Sequence, residues 1–168
     1  MNRRTARSTL IASFACAATL LPALGASAHE ADEDHGNACT VAGSVVSLSG
    51  LRYEPGQGTY NVSGTMDCTS DRYSHGILTG QGTGVLGCVG GFSDAVYRVA
   101  WSNGETSTIK VKSGDLTYGT GGIGKVTTGA MPGRHVGMAW GREAAAAEMK
   151  CATDTVHSYQ FAGGIGFH

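Results

Sequence analysis

The stretch that decides the fold runs from Val96 to Lys112 and reads VYRVAWSNGETSTIKVK. On both sides of Asn103-Gly104, apolar and other side chains largely alternate along the chain. Such alternation turns one face of a strand towards a core and the other towards solvent. Asn-Gly between two alternating runs favours a hairpin, because both residues accept a positive φ. The stretch therefore predicts two antiparallel strands joined by a tight turn.

The cysteines predict two disulfides. One strand-like run starts at Cys39, another ends at Cys68, and a turn-rich connector separates them. If the runs pair antiparallel about a centre between residues 53 and 54, Cys39 lies opposite Cys68. We therefore predict a Cys39–Cys68 bridge, which leaves Cys88 to pair with Cys151. Each bridge closes a long loop and is expected to contribute about 3–4 kcal/mol.

The rest of the chain predicts further short strands. From Ile77 to Cys88, glycines at 80, 82 and 84 fall on one strand face, where a ring or a second sheet can approach closely. One short helix is predicted over Arg142–Lys150. Further strands are predicted over Asp115–Tyr118, Gly124–Thr128, Arg134–Trp140 and Val156–Phe161. Seven to nine strands with 27 glycines and 3 prolines predict a small antiparallel β-sandwich or barrel with two disulfides and a flexible N-terminal leader.

The N-terminal residues predict export. Residues 1–28 combine an arginine-rich start, an apolar run over Leu10–Leu24 and the small residues Ala26 and Ala28, which is typical of a signal peptide. Residues 29–38 are acidic and poor in apolar side chains, which predicts a flexible leader. Residues 39–168 are expected to form a single β-sandwich domain. The predicted location is secreted and extracellular, in agreement with the cysteine usage.

The charge distribution limits the classes of partner. Removal of the signal peptide would leave 9 basic and 13 acidic residues, and four of these acids lie in the predicted leader. From Cys39 onward the acidic and basic residues balance. No basic patch is apparent, which disfavours a nucleic-acid partner. No later stretch approaches the roughly 20 apolar residues that a membrane-spanning helix needs.

Catalytic signatures are missing from the sequence. It has no nucleophile elbow, no His-Glu-x-x-His motif and no P-loop. We therefore predict no enzymatic activity, no cofactor and no resident metal. Two alternatives remain open. A pair of carboxylates could converge as in a glycosidase, and His29, as a new N-terminus, could bind copper together with His35, His75, His135 or His157.

Two binding alternatives also remain open. A carbohydrate-binding module would present exposed aromatic rings. The candidates for such a platform are Tyr53, Tyr60, Tyr73, Tyr97, Trp101, Trp140 and Tyr159. A protease inhibitor would present a rigid loop beside a disulfide, and Cys68–His75 (CTSDRYSH) is the candidate.

The stretch Leu78–Ser107 carries a family resemblance. The Thr-Gly alternation that runs into Gly87-Cys88 and the later motif VAWSNGETST resemble a family of small secreted β-proteins abundant in actinobacteria. Some members look like the adaptor subunit of umbrella-shaped antibacterial toxin particles. The resemblance implies a non-enzymatic adaptor that bridges a lectin-bearing subunit and a toxin-bearing subunit. It also implies that the leader inserts into a cleft of the lectin subunit.

The leader is accordingly the predicted partner-binding element. A disordered acidic segment next to a disulfide can order on a partner as an added strand or peptide ligand. The predicted partner-binding residues are His29, Glu30, Asp32, Glu33, Asp34, His35 and Asn37. The predicted function is a secreted protein-binding adaptor whose partners are other secreted proteins.

Overall fold

A computed structural model describes residues 36–168 apart from 89, 117–118, 143–150 and 152. Eight β-strands make up most of this part of the chain. They are β1 Asn37–Leu51, β2 Gly56–Cys68, β3 His75–Leu86, β4 Gly91–Trp101, β5 Thr106–Leu116, β6 Gly119–Gly129, β7 His135–Arg142 and β8 Val156–Phe167. The all-β prediction is confirmed. Across the described ranges, no helix has the length and hydropathy that crossing a membrane requires.

The strands form a closed antiparallel barrel in which each one pairs with the next and β8 pairs with β1. Of the two architectures predicted, the structure is the barrel and not the two-sheet sandwich. Closure gives every strand two hydrogen-bonded neighbours, so no strand edge is left unpaired. Along β4, burial alternates at every residue from Phe92 to Trp101. The buried positions fill the barrel and the others form its outer wall.

The predicted hairpin is present as β4 and β5, with Tyr97 opposite Ile109. Its turn differs from the expected form. Gly104 has a φ of 86°, whereas no positive φ occurs at Asn103. The amide of Gly104 donates to the carbonyl of Trp101, and that of Trp101 donates to the carbonyl of Glu105. The connection is therefore longer than a two-residue turn, and only the glycine takes the left-handed conformation.

The glycines of β3 share one strand face against which aromatic rings pack, as predicted, and this face points into the barrel. A methyl group on Gly82 would overlap the ring of Tyr60, and one on Gly80 would overlap the ring of Tyr97. The missing side chains therefore make room for two aromatic rings within a narrow barrel.

Both predicted disulfides are present, Cys39–Cys68 and Cys88–Cys151. Cys39 and Cys68 are direct partners in the register of β1 and β2, as the sequence predicted. Cys88 lies between β3 and β4, and its bond to Cys151 ties that connection to the segment before β8. Because disulfides form and persist in oxidising environments, the two bridges indicate that the protein is suited to an oxidising compartment.

Three predicted assignments conflict with the structure, and the bounds of several other predicted strands differ from the observed ones. Asn37 and Ala38, assigned to the leader, lie in β1 opposite Phe167 and Gly166 of β8. The strand predicted from Asp115 does not start there, because β5 continues unbroken through Gly114 to Leu116. Arg142 ends β7, so the predicted helix cannot start at that residue. The rest of that helix, 143–150, and Tyr118 lie outside the described residues.

Candidate functional site

A groove with a volume of about 940 Å³ runs over the outer wall of β3–β7. Its side chains come from alternate, outward-facing positions of the consecutive strands β3 to β7. We call it the lysine groove and define it by Val96, Lys110, Lys112, Ile123, Lys125 and His135.

Strand register brings two lysines of the lysine groove face to face. Lys110 of β5 is paired with Val96 on one side and with Lys125 on the other. Lys125 is in turn paired with His135 of β7. Directly opposed like charges destabilise a sheet. Within the described ranges, no carboxylate lies within ion-pair distance of Lys110, Lys112 or Lys125.

The row of cross-strand partners that lies beside the opposed lysines adds apolar surface. Lys112 is paired with Asp94 on β4 and with Ile123 on β6, and Ile123 faces Gly137 on β7. The Ile123 side chain is 76% exposed. A side chain on Gly137 would meet nothing within 4 Å, so the wall beside Ile123 is open. The lysine groove thus combines exposed aliphatic side chains with positive charge.

A second exposed surface lies on the other side of the barrel. In the closed strand order, β1 and β5 are separated by three strands in either direction. Val46 and Leu48 of β1 are 44% and 59% exposed, and Tyr53 in the following connection is also exposed. We call these three residues the β1 patch. The lysine groove and the β1 patch face in roughly opposite directions.

A chain of hydroxyl groups crosses one end of the barrel interior. The hydroxyl of Ser93 lies 2.9 Å from that of Tyr60 and 2.7 Å from that of Ser113. The Tyr60 hydroxyl also lies 3.3 Å from that of Tyr97. Burial is the main cause that raises the pKa of Tyr97 above its ordinary value, and nearby Tyr60 adds to it. The Tyr97 hydroxyl is therefore a neutral hydrogen-bonding group at physiological pH.

The space beside these hydroxyls is small. A cavity of about 30 Å³ lies among Tyr60, Ser93, Ser113 and Trp140, a volume comparable with that of one water molecule. The buried polar residues in the described ranges are Asn37, Ser47, Ser93, Ser107, Ser113 and Thr120, none of which carries a charge. The described interior consequently places no pair of carboxylates for glycoside hydrolysis.

The predicted inhibitor loop is braced by its neighbours. The Arg72 guanidinium donates to Glu105 at 2.8 Å, and the Asn103 amide donates to the carbonyl of Arg72. Hydrogen bonding from Arg72, followed by that from Tyr73, lowers the pKa of the exposed Glu105 carboxyl. The loop is thus ordered as an inhibitor would need. However, its arginine is engaged in an ion pair with Glu105, and its histidine lies against Asp67.

The predicted sugar platform is not formed. Tyr60, Tyr97, Trp101 and Trp140 are buried, and Tyr73 and Tyr159 are half-buried. The two tryptophans instead pack against phenylalanines in the core, with ring centroids 5.9 Å apart for Trp101 and Phe167 and 5.0 Å apart for Trp140 and Phe161. Of the seven candidates, only Tyr53 presents an exposed ring.

The predicted copper ligands are scattered or outside the described residues. His75 lies 2.6 Å from Asp67, His135 borders the lysine groove and His157 lies near Gly50. His29 and His35 lie outside the described part of the chain. Within that part, no group of three histidine, cysteine or acidic side chains is placed to hold a metal ion.

Of the predicted partner-binding residues, the structure describes Asn37 alone. Its side chain is buried, accepts from the amide of Ser70 at 3.1 Å and donates to the carbonyl of Tyr73 at 3.4 Å. Asn37 therefore holds the β2–β3 loop against β1 and is not available to a partner. His29, Glu30, Asp32, Glu33, Asp34 and His35 lie outside the described residues, so their role stays a prediction.

The lysine groove was not predicted from the sequence. The alternation along Val96–Lys112 places Lys110 and Lys112 on the solvent face, but it does not show what lies beside them. Their neighbours belong to β6 and β7, and the pairing of β5 with β6 shifts at a bulge between Thr108 and Ile109.

The chain matches no protein-family model, no curated protein and no solved structure.

Proposed function

We propose that this protein is a secreted, non-enzymatic adaptor that holds two protein partners on opposite walls of a rigid barrel. The observation that carries the proposal is the pair of exposed surfaces, the lysine groove and the β1 patch, separated by the barrel itself. Exposed apolar side chains gathered on a rigid wall are typical of protein-binding surfaces. The resemblance to toxin-particle adaptors supports a bridge between a lectin-bearing subunit and a toxin-bearing subunit as the concrete form.

The barrel has the mechanical properties that such a bridge needs. Closed pairing of all eight strands and two disulfides limit changes of shape. A rigid spacer loses little conformational entropy when it binds, so more of the contact energy goes into affinity. The predicted signal peptide and the disulfides support a site of action outside the cell.

Affinity purification of the full chain from its native culture supernatant tests this proposal. The wild type is compared with a groove variant, Lys110→Glu with Lys125→Glu, and a patch variant, Val46→Asp with Leu48→Asp. We expect two different co-purifying proteins, each lost with one variant and retained with the other. The physical reason is that the two surfaces share no side chain.

Two outcomes would contradict the adaptor function. One is the recovery of no protein above that seen with an unrelated secreted protein as bait. The other is a single partner that both variants lose together. Circular dichroism of each variant controls for unfolding. All four substitutions lie on exposed positions of the wall, so we expect both variants to fold.

A further inference from the structure

We infer that the lysine groove binds an acidic segment of a protein partner, with carboxylates over Lys110 and Lys125 and aliphatic side chains over Val96 and Ile123. This inference rests on the proposed adaptor function and names the chemistry of one of its two partners. It depends on three properties of the groove, namely its uncompensated charge, its aliphatic surface and its shape.

The charge argument begins with the Lys110–Lys125 pair. The two ammonium groups extend from directly paired residues, and Lys112 lies two residues along β5 from Lys110. Sheets tolerate opposite charges across such a pair and are destabilised by like charges. A carboxylate placed between the two lysines would turn this repulsion into two attractive interactions. The free barrel supplies no such carboxylate within its described residues.

Among the described residues that line the groove, the only acid is Asp94. It is paired with Lys112, in the row next to the opposed lysines. His135 and His168 also line the groove. The charge presented to a ligand is therefore positive and is concentrated at the Lys110–Lys125 pair.

The surface argument favours a protein over a nucleic acid. Single-stranded nucleic acids are usually held by aromatic rings on which bases stack. The described residues that line the groove include no phenylalanine, tyrosine or tryptophan, and their exposed apolar side chains are the aliphatic Val96, 48% exposed, and Ile123, 76% exposed. Aliphatic side chains beside carboxylates in a peptide match this surface better than bases beside phosphates.

The shape argument concerns access. β4 and β7 lie three strand spacings apart, a width of about 14 Å, which accommodates one peptide segment and its side chains. At Gly137 on β7 the wall carries no side chain, so a peptide can approach the backbone there. The groove is thus wide enough for a segment and is open on the side of Ile123.

The test uses nuclear magnetic resonance titration of the full chain with a short peptide of alternating glutamate and valine. A lysine–valine peptide and an oligothymidylate of the same length serve as comparisons. We expect the glutamate peptide to bind, with shift changes concentrated on β4–β7 and with weaker binding as salt is raised. The lysine peptide is expected not to bind.

Variants then locate the site. Lys110→Glu with Lys125→Glu should weaken binding of the glutamate peptide by at least about tenfold, since attraction becomes repulsion. Arg98→Glu is the matched control. Arg98 is exposed on β4 and lies outside the groove. The same reversal of charge at this position should therefore alter the affinity for the glutamate peptide by less than about twofold. Ile123→Ser should also weaken binding, through loss of apolar contact.

Three results would overturn the inference. The first is failure of the glutamate peptide to bind, and the second is binding that the lysine variant leaves unchanged. The third is tighter binding of oligothymidylate, which would identify a nucleic-acid site. If purification recovers a partner that depends on the groove while the peptide does not bind, the adaptor function stands and the acidic-segment inference fails.

Discussion

Inside the barrel, the hydroxyl of Ser93 lies within hydrogen-bond distance of the hydroxyls of both Tyr60 and Ser113. The hydroxyl of Ser47 is also buried, with 2% of the residue exposed, but it has no hydrogen-bond partner among the residues that the structure describes. These two serines have the same side chain and lie in the same core. They differ in what their hydroxyl groups contact, and this difference should decide what each contributes to stability.

Replacement of Ser93 by alanine should lower the free energy of unfolding by about 1–3 kcal/mol, because two buried hydroxyls each lose a partner. Ser47→Ala is the matched control. It removes a buried group that is already unpaired, so stability should stay the same or increase. Urea denaturation monitored by tryptophan fluorescence measures both. Equal losses for the two variants would show that volume, and not hydrogen bonding, sets the effect.

At the scale of single elements, the pairing of β5 with β6 places two like charges opposite each other, which destabilises the sheet. The same pairing forms part of the lysine groove. Their bulge lies between Thr108 and Ile109, where the register moves from Thr108 opposite Thr128 to Ile109 opposite Val126. Without this shift, Lys110 would lie opposite Val126. With it, Lys110 lies opposite Lys125, and Val126 points into the core. The bulge therefore creates the opposed lysines while keeping the apolar side chain inside.

Lys125→Glu should raise the free energy of unfolding by about 0.2–1 kcal/mol at low salt, because an opposite-charge pair replaces a like-charge pair. The gain should shrink as salt is added. Lys125→Gln, which removes the repulsion without adding an attraction, should give a smaller gain. Denaturation curves at two salt concentrations measure the effect. A loss of stability at low salt would show that the lysines do not repel each other in the folded barrel.

At the scale of the whole molecule, closure and disulfides hold the barrel together in different ways. β8 pairs with β1 along most of its length, from Phe167 opposite Asn37 to Ser158 opposite Val46. The Cys39–Cys68 bridge joins two residues that strand pairing already holds together. The Cys88–Cys151 bridge joins two connections, and Leu51 and Val156 pack in the same cluster as Cys151.

Removing either disulfide should destabilise the barrel without preventing its closure. Cys39→Ala with Cys68→Ala opens a loop of 29 residues and should cost about 3.6 kcal/mol by the chain-entropy relation. Cys88→Ala with Cys151→Ala opens one of 63 residues and should cost about 4.3 kcal/mol. Chemical denaturation of the two double variants compares the costs. A larger loss for the shorter loop would show that local packing outweighs loop length.

The sequence by itself determined the strand periodicity, the β4–β5 hairpin, both disulfide pairings and the glycine face of β3. These features depend on residues near one another along the chain, or on a register that two cysteines and a turn specify together. The tertiary structure alone decided that the sheet closes as a barrel, and that Asn37 belongs to β1. It also decided that Lys110 faces Lys125, because one bulge changes which side chains meet across two strands, and alternation within a single strand carries no record of its neighbour's register.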